Sequence, residues 1–261
     1  MTSANLARTV DALDLEQRVK QMYTDVAQRP DGRFHFEMGR VMAERLGYPA
    51  AELDAVPEDA VRSFAGVGYY FDLAELRPGE DVVDLGSGSG MDAFLAARSV
   101  APGGHVTGID MTDAQLQKAE RLRDEAGLDA LRFRQAYIEQ TGLPDACCDA
   151  VISNGVINLA PDKPAVFREA ARLLRPGGRL AISDIVTVTH LPSEISCDAT
   201  LWAACIGGAM QCDDYVDAIE QAGLTVRLMR ENREYRFLSK SAQGATRTYG
   251  VMSVSLLATR D

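Results

Sequence analysis

The chain has 261 residues, enough for one large α/β core with additions but too few for two full-size domains. Its 46% hydrophobic and 25% charged residues are ordinary for a globular protein and exclude wholesale disorder or a fibrous architecture. The formal net charge of -11, from 27 Lys+Arg against 38 Asp+Glu, repels phosphate backbones and anionic bilayers, so neither nucleic acid nor a membrane is an expected partner.

No run approaches the roughly 18 apolar residues of a membrane span. The first residues lack the apolar core of a secretory signal, and the expected location is the cytoplasm. Of five cysteines, Cys147 and Cys148 are adjacent, and Cys197, Cys205 and Cys212 cluster later. The odd count and irregular spacing fit neither a disulfide framework nor a paired zinc site, so reduced thiols and no bound metal are expected.

In chain order, residues 1–75 carry amphipathic helices near 15–27 and 36–46 and are too polar to fold as a domain alone, so they are expected to form a helical cap. From residue 76 one punctuation recurs. Leu76-Arg-Pro-Gly-Glu80, Val100-Ala-Pro-Gly-Gly104 and Leu174-Arg-Pro-Gly-Gly178 each close a helix and introduce a short apolar run. Five such runs, at 81–85, 105–110, 130–135, 149–154 and 179–185, read as parallel strands. They alternate with helices at 112–126, where Thr112 and Gln115 suggest a capping box and Gly127 a C-cap, and at 164–174. A helix at 213–222 and strands at 224–230 and 250–259 complete the sheet. The expected fold class is α/β, a doubly wound, mostly parallel seven-stranded sheet. Residues 76–261 would form the main domain, with an insertion at about 190–212 that joins the N-terminal segment in walling the crevice beyond the strand ends.

The stretch Asp84-Leu-Gly-Ser-Gly-Ser-Gly90 follows the first strand and opens a helix, the setting in which glycines let a nucleotide approach the backbone. A dinucleotide loop would carry its third glycine at position 91, where Met91 stands, and Asp84 would oppose a pyrophosphate. S-adenosylmethionine (SAM) has no phosphate and presents an ammonium that wants an acceptor. Asp110 ends the second strand 20 residues beyond Gly90, where a carboxylate can accept from both ribose hydroxyls or can serve the start of the next helix. Glu139 and Asn154 follow the third and fourth strands on the same rim, as site residues or as loop and turn formers.

Together with Gly108-Ile-Asp-Met-Thr112, Ser153-Asn-Gly-Val-Ile-Asn-Leu159, Asp162-Lys163, Ser183-Asp184 and Cys205-Ile-Gly-Gly-Ala209, these stretches resemble the SAM-dependent arsenite methyltransferases, a Rossmann-like branch of the class I methyltransferase fold, over about residues 56–212. The resemblance implies SAM as cofactor. It assigns Asp84, Gly86, Ser87 and Gly88 to the methionine part, Asp110 and Met111 to ribose and adenine, Ile138 and Glu139 to the adenine edge, and Asn154 and Val156 to the sulfonium region.

The same resemblance implies cysteines where this chain has Gly155 and Val67, and a further N-terminal pair that is missing; Cys205 alone matches. A soft As(III) centre needs two or three converging thiolates, so Val67, Gly155 and Cys205 read as substrate-facing positions of a pocket made more organic. His35, His190 and Tyr69 are candidate catalytic groups for a neutral acceptor. The expected activity is methyl transfer from SAM to a small organic molecule. Alternatives are arsenite methylation through Cys205 with Cys197 and Cys212, or a SAM-binding module without catalysis.

Overall fold

The computed structural model describes residues 11–196, 202 and 206–261. The chain opens with α1 (Ala12–Gln28), whose start is fixed by Asp11: its carboxylate accepts from the backbone N–H groups of Leu13 and Asp14. Leu15, Val19 and Val26 bury one stripe of this helix, while Asp14–Arg18, Glu16–Lys20 and Asp25–Arg29 pair on its wetter faces. Four short helices follow: α2 (Arg40–Leu46), α3 (Ala50–Leu53), α4 (Glu58–Arg62) and α5 (Phe71–Ala74). The second helix expected near residue 36 starts only at Arg40, because Gly39 turns the backbone at φ +80°.

The sheet then builds as expected. β1 (Asp81–Leu85), α6 (Met91–Val100), β2 (His105–Asp110), α7 (Asp113–Ala126), β3 (Leu131–Gln135), β4 (Cys148–Asn154), α8 (Lys163–Leu173) and β5 (Leu174–Thr187) alternate, and all five strands pair in parallel. α9 (Ser193–Ser196), the two-residue β6 (Met210–Gln211), α10 (Cys212–Gln221), β7 (Thr225–Glu231), α11 (Lys240–Tyr249) and β8 (Met252–Thr259) complete the chain. The strand order is β3-β2-β1-β4-β5-β8-β7, with β6 paired to the end of β5, and β8 lies antiparallel to both its neighbours. The main path thus has the seven strands read from the sequence; β6, α3 to α5 and α11 carry no signal long enough to be read there.

Strand residues alternate between two cores. Val82, Val106, Ala150 and Ile152 meet α6, α7 and the short N-terminal helices, whereas Val83, Leu85, Ile109, Val151 and Ile182 meet α8 and α10. A third cluster sits at the carboxyl ends of the strands, where Leu15, Val19, Val67, Leu159, Trp202, Ile206 and Ala245 pack together. This roof gathers α1, the segment at 206–209 and α11 above the sheet.

One local expectation fails. Thr112 caps α7 without a side-chain hydrogen bond, and Gln115 is buried instead of reaching back to it. Its amide donates to the Tyr23 carbonyl at 3.0 Å and its oxygen accepts from Ser89 at 2.5 Å, so the glutamine ties α1 to the glycine loop. Gly127 does close α7, in the left-handed conformation.

Candidate functional site

Beyond the ends of β1, β2 and β4 lies a cavity whose floor is the glycine loop. Gly86, Gly88 and Gly90 adopt φ of +76°, +53° and +94°, a succession of left-handed turns that only glycine makes without strain. Gly90 is the N-cap of α6, so the third glycine precedes Met91 because the helix begins there. A side chain on Gly86 would also collide with Val156, which the turn admits against its backbone.

Three carboxylates meet at this floor. Asp84 is 2% exposed, faces the cavity, and its Oδ2 has no hydrogen-bond partner. Burial, followed by repulsion from Asp92 and Asp110, pushes its carboxyl well above the usual range. Asp92 is 5% exposed and accepts from the hydroxyls of Tyr48 and Tyr70, each at 2.8 Å, and from the Asn154 amide at 3.0 Å. Desolvation raises the pKa of both tyrosines and the negative charge of Asp92 adds to it, so these hydroxyls are donors rather than bases. Asp110 accepts from the N–H of Gly88 at 2.9 Å and of Thr112 at 2.8 Å. It therefore fills the helix-start role weighed from the sequence and still presents its carboxylate to the cavity.

All ten cofactor positions read from the sequence line this one cavity: Asp84, Gly86, Ser87, Gly88, Asp110, Met111, Ile138, Glu139, Asn154 and Val156. Asn154 is more than a turn former: its oxygen accepts from the Val67 N–H at 2.7 Å, and its amide also donates to the Tyr48 hydroxyl and the Gly68 carbonyl at 3.0 Å each. Burial raises the Glu139 carboxyl. The opposite wall comes from α1, which contributes Leu13, Leu15, Val19 and Tyr23, together with Phe64 and Leu159. At the mouth, the Glu16 carboxylate accepts from Lys20 at 2.6 Å and from the Tyr137 hydroxyl at 2.7 Å, latching the helix to the loop after β3.

The catalytic candidates do not line the cavity. His190 is exposed and pairs with Asp214 at 2.9 Å. His35 stands edge-on to Phe36, 4.7 Å between ring centroids. Tyr69 packs against Tyr48 and Phe71, and burial pushes its hydroxyl up to about 12. Each is held by its packing or ion pairing away from the floor. Val67 and Gly155 also lie just behind the lining rather than in it, and they lie together: a Cβ on Gly155, at φ +70°, would be 3.1 Å from Val67 Cγ1. Val67 is 1% exposed, so its methyls fill the space between the two positions. Cys197 and Cys205 fall outside the described residues, and the half-buried Cys212 begins α10 without lining the cavity.

The sequence reading missed Asp92 and Tyr48, and it reads Tyr70 as aromatic pocket wall, whereas its hydroxyl donates to Asp92. A signal was available, since Asp92 is the one acid in the otherwise apolar first turns of α6, and a charge there needs buried partners. It also gave no role to Lys163, whose buried ammonium donates to the cavity-lining Ala160 carbonyl at 3.0 Å and lies 4.5 Å from the Trp202 ring centre. Desolvation lowers Lys163 to about 8, against the pull of Asp184.

Within the cavity lining of described residues, Glu16, Asp84, Asp92, Asp110 and Glu139 supply carboxylates, and no Lys, Arg, His or Cys occurs. Such a site favours a cation and opposes phosphate. The orphaned Asp84 oxygen fits an ammonium, and the carboxylate of Asp110 beside a glycine turn fits a ribose, so these residues suit SAM and not a dinucleotide. Sheet order, single reversed strand and acid-floored crevice together define the class I SAM-dependent methyltransferase fold.

Residues 76–235 match the methyltransferase domain family, and the chain belongs to it. Within it the chain is arsenite methyltransferase-like. The arsenite methyltransferase of Halobacterium salinarum is 39% identical over 198 residues, 76% of this chain and 50% of that protein. The nocamycin O-methyltransferase of Saccharothrix syringae is 38% identical over 112 residues, 43% of this chain and 40% of that protein. A crystal structure of an arsenic(III) SAM methyltransferase from Chlamydomonas reinhardtii superposes with a TM-score of 0.63 at 30% identity, over 86% of this chain and 74% of that one. The chain spans about half the length of the curated relatives it matches.

Proposed function

We propose that this chain transfers the methyl group of SAM to a small organic acceptor without negative charge, and not to As(III). The observation that carries this reading is the cavity lining: five carboxylates and an apolar helix face, with no thiol and no cationic side chain among the described residues. An anionic acceptor would meet repulsion there, and a soft metalloid would find no thiolate among the described lining residues. Val67 and Gly155 support it from behind, because two neighbouring positions that could have carried converging thiols hold methyl groups and a glycine.

When bound, SAM supplies an electrophilic methyl carbon with a neutral leaving group. Asp84 would accept its ammonium, the turn at Gly86 to Gly88 its carboxylate side, Asp110 the ribose, Met111, Ile138 and Glu139 the adenine, and Asn154 with Val156 the region nearest the reacting centre. α1 and Phe64 would hold the acceptor and keep water out, with residues 1–75 and about 190–212 acting as the cap. Alignment of reactants contributes roughly 7–11 kcal/mol, against about 10²–10⁴-fold for a general base. A cavity without histidine is suited to the first contribution.

The test is methyl transfer from labelled SAM in two parallel assays, one with arsenite plus thiol and one with fractionated small-molecule extract. Label entering an extracted organic compound, with none on arsenic, is the expected result. Arsenite turnover that disappears in Cys205→Ser would reject the reading in favour of the metalloid, and tight SAM binding with no acceptor in any fraction would reject catalysis.

A further inference from the structure

Four of the five carboxylates in the cavity lining already have an occupation. Lys20 neutralises Glu16 at 2.6 Å, Gly88 and Thr112 donate to the two oxygens of Asp110, and under the proposed function Asp84 meets the ammonium and Glu139 the adenine. Asp92 remains. It stands in the first turn of α6, 5% exposed, and three side-chain donors converge on it: the Tyr48 hydroxyl on Oδ1 at 2.8 Å, and the Tyr70 hydroxyl at 2.8 Å and the Asn154 amide at 3.0 Å on Oδ2. The direction of these bonds sets its charge state. Asn154 accepts the Val67 N–H on its oxygen, so its amide nitrogen is the atom that faces Asp92 and the Tyr48 hydroxyl. A hydroxyl that accepts from that nitrogen directs its own proton to Asp92, and an Oδ2 already taking two donors leaves no place for an acidic hydrogen. Desolvation raises the Asp92 carboxyl, and Asn154, Tyr48 and Tyr70 work against the rise. These neutral donors spread the negative charge without cancelling it, and the described lining residues supply no cation that would.

We propose that Asp92 is a specificity-determining residue: its carboxylate, held by Tyr48, Tyr70 and Asn154, is the counter-charge for the sulfonium at the reacting end of the cavity. SAM carries three charges, and each then has a separate answer. The ammonium meets Asp84, the carboxylate meets the N–H groups of the glycine turn, and the sulfonium meets Asp92. The inference rests on the cofactor placement of the proposed function, in which Asn154 and Val156 stand nearest the reacting centre, and Asp92 is bonded directly to the first of these. No bond forms or breaks at Asp92. Its action is electrostatic and strongest while the sulfur bears its full positive charge, so it decides which form of the cofactor the cavity prefers and does not accelerate the transfer itself.

The test compares calorimetric affinities for SAM and S-adenosylhomocysteine, which differ only in the methyl group and the charge, on the full chain. Asp92→Asn should lower the ratio of the two affinities roughly 10-fold, the size expected of one unit charge acting across a partly desolvated site. Tyr70→Phe removes a donor but keeps the charge, so its ratio should stay within about twofold of the parent. A second measurement needs no variant. In the parent the ratio should fall as pH drops and Asp92 takes up its proton, because the ionised form is the one that favours a sulfonium. Asp84, Asp110 and Glu139 act on groups common to both ligands and drop out of the ratio, while the Tyr48 and Tyr70 hydroxyls keep their protons. An unchanged ratio in Asp92→Asn, an equal fall in Tyr70→Phe, or a ratio independent of pH in the parent overturns the proposal. Failure of the cofactor placement itself reads differently: Asp84→Asn would then leave both affinities untouched, and the proposal would fall with it.

Discussion

The two rims of one sheet treat their acids in opposite ways. At the amino ends of the strands, Asp81 and Asp149 share Arg175, Glu80 is clamped by Arg179 at 2.7 Å, and Glu169 by Arg172 at 2.8 Å. Burial works against the Asp81 carboxylate, but hydrogen bonds from Arg175 and His105 prevail and hold it below its usual range. At the carboxyl ends, Asp84 is buried with an unused oxygen and neither Asp92 nor Asp110 has a cationic partner in the cavity. The acids at one edge are paired with arginines, and those at the other have no cationic partner among the described lining residues.

The sharpest way to break the comparison is Asp84→Asn. Removing the acceptor for a buried ammonium should cost about 3–5 kcal/mol of SAM binding, roughly 10²–10⁴ in affinity. The ligand-free chain should melt no lower than the parent, because the substitution also relieves crowding with Asp92 and Asp110. Calorimetric titration and a melting curve on one preparation measure both, and unchanged affinity would sink the cofactor assignment.

Acidity sharpens the same point. An unfolded aspartate ionises near ~3.9, whereas folded Asp84 keeps its proton to higher pH, so its contribution to ligand-free stability is full at low pH and is lost as pH rises through the folded value. An arriving ammonium reverses that preference. SAM binding should then release up to about one proton and strengthen by at most ~10-fold per pH unit below the raised value, with a plateau above it. Titrations in buffers of different ionisation enthalpy count the proton; none released means that Asp84 is already ionised.

The smallest effect is at the other rim. Arg175→Ala should lower unfolding stability by about 1–2 kcal/mol, since its partners are partly solvated, and leave SAM affinity within about twofold. Denaturant unfolding checks the first and calorimetry the second. A large loss of SAM affinity would show that the rims are coupled rather than independent.

What could be read from the sequence follows range of interaction. The alternation of strands and helices, the glycine turns and the acids at the ends of β1 and β2 are local patterns, and the folded chain gathers all ten expected cofactor residues around one cavity. What stayed hidden depends on contacts between distant segments. Tyr48 lies 44 residues from the Asp92 it donates to, and Gln115 bonds Tyr23 92 residues away. His35, His190 and Tyr69 have suitable chemistry, which says nothing about direction: His190 ends in solvent beside Asp214, and Tyr69 packs edge-on to Tyr48 and stacks on Phe71. Gln115 shows the converse, since its spacing from Thr112 suggested a cap while burial gave it a tertiary role.

The acid floor also bears on how a turnover would end. Walls of one sign discriminate between occupants by charge, so a sulfonium is gripped more firmly than the uncharged thioether it becomes after donating its methyl group. The spent nucleoside would keep its hydrogen bonds to Asp84 and Asp110 but lose the attraction between its sulfur and the surrounding carboxylates. Exchange of spent for fresh cofactor would then be favoured by the field that first drew it in, with no moving part required.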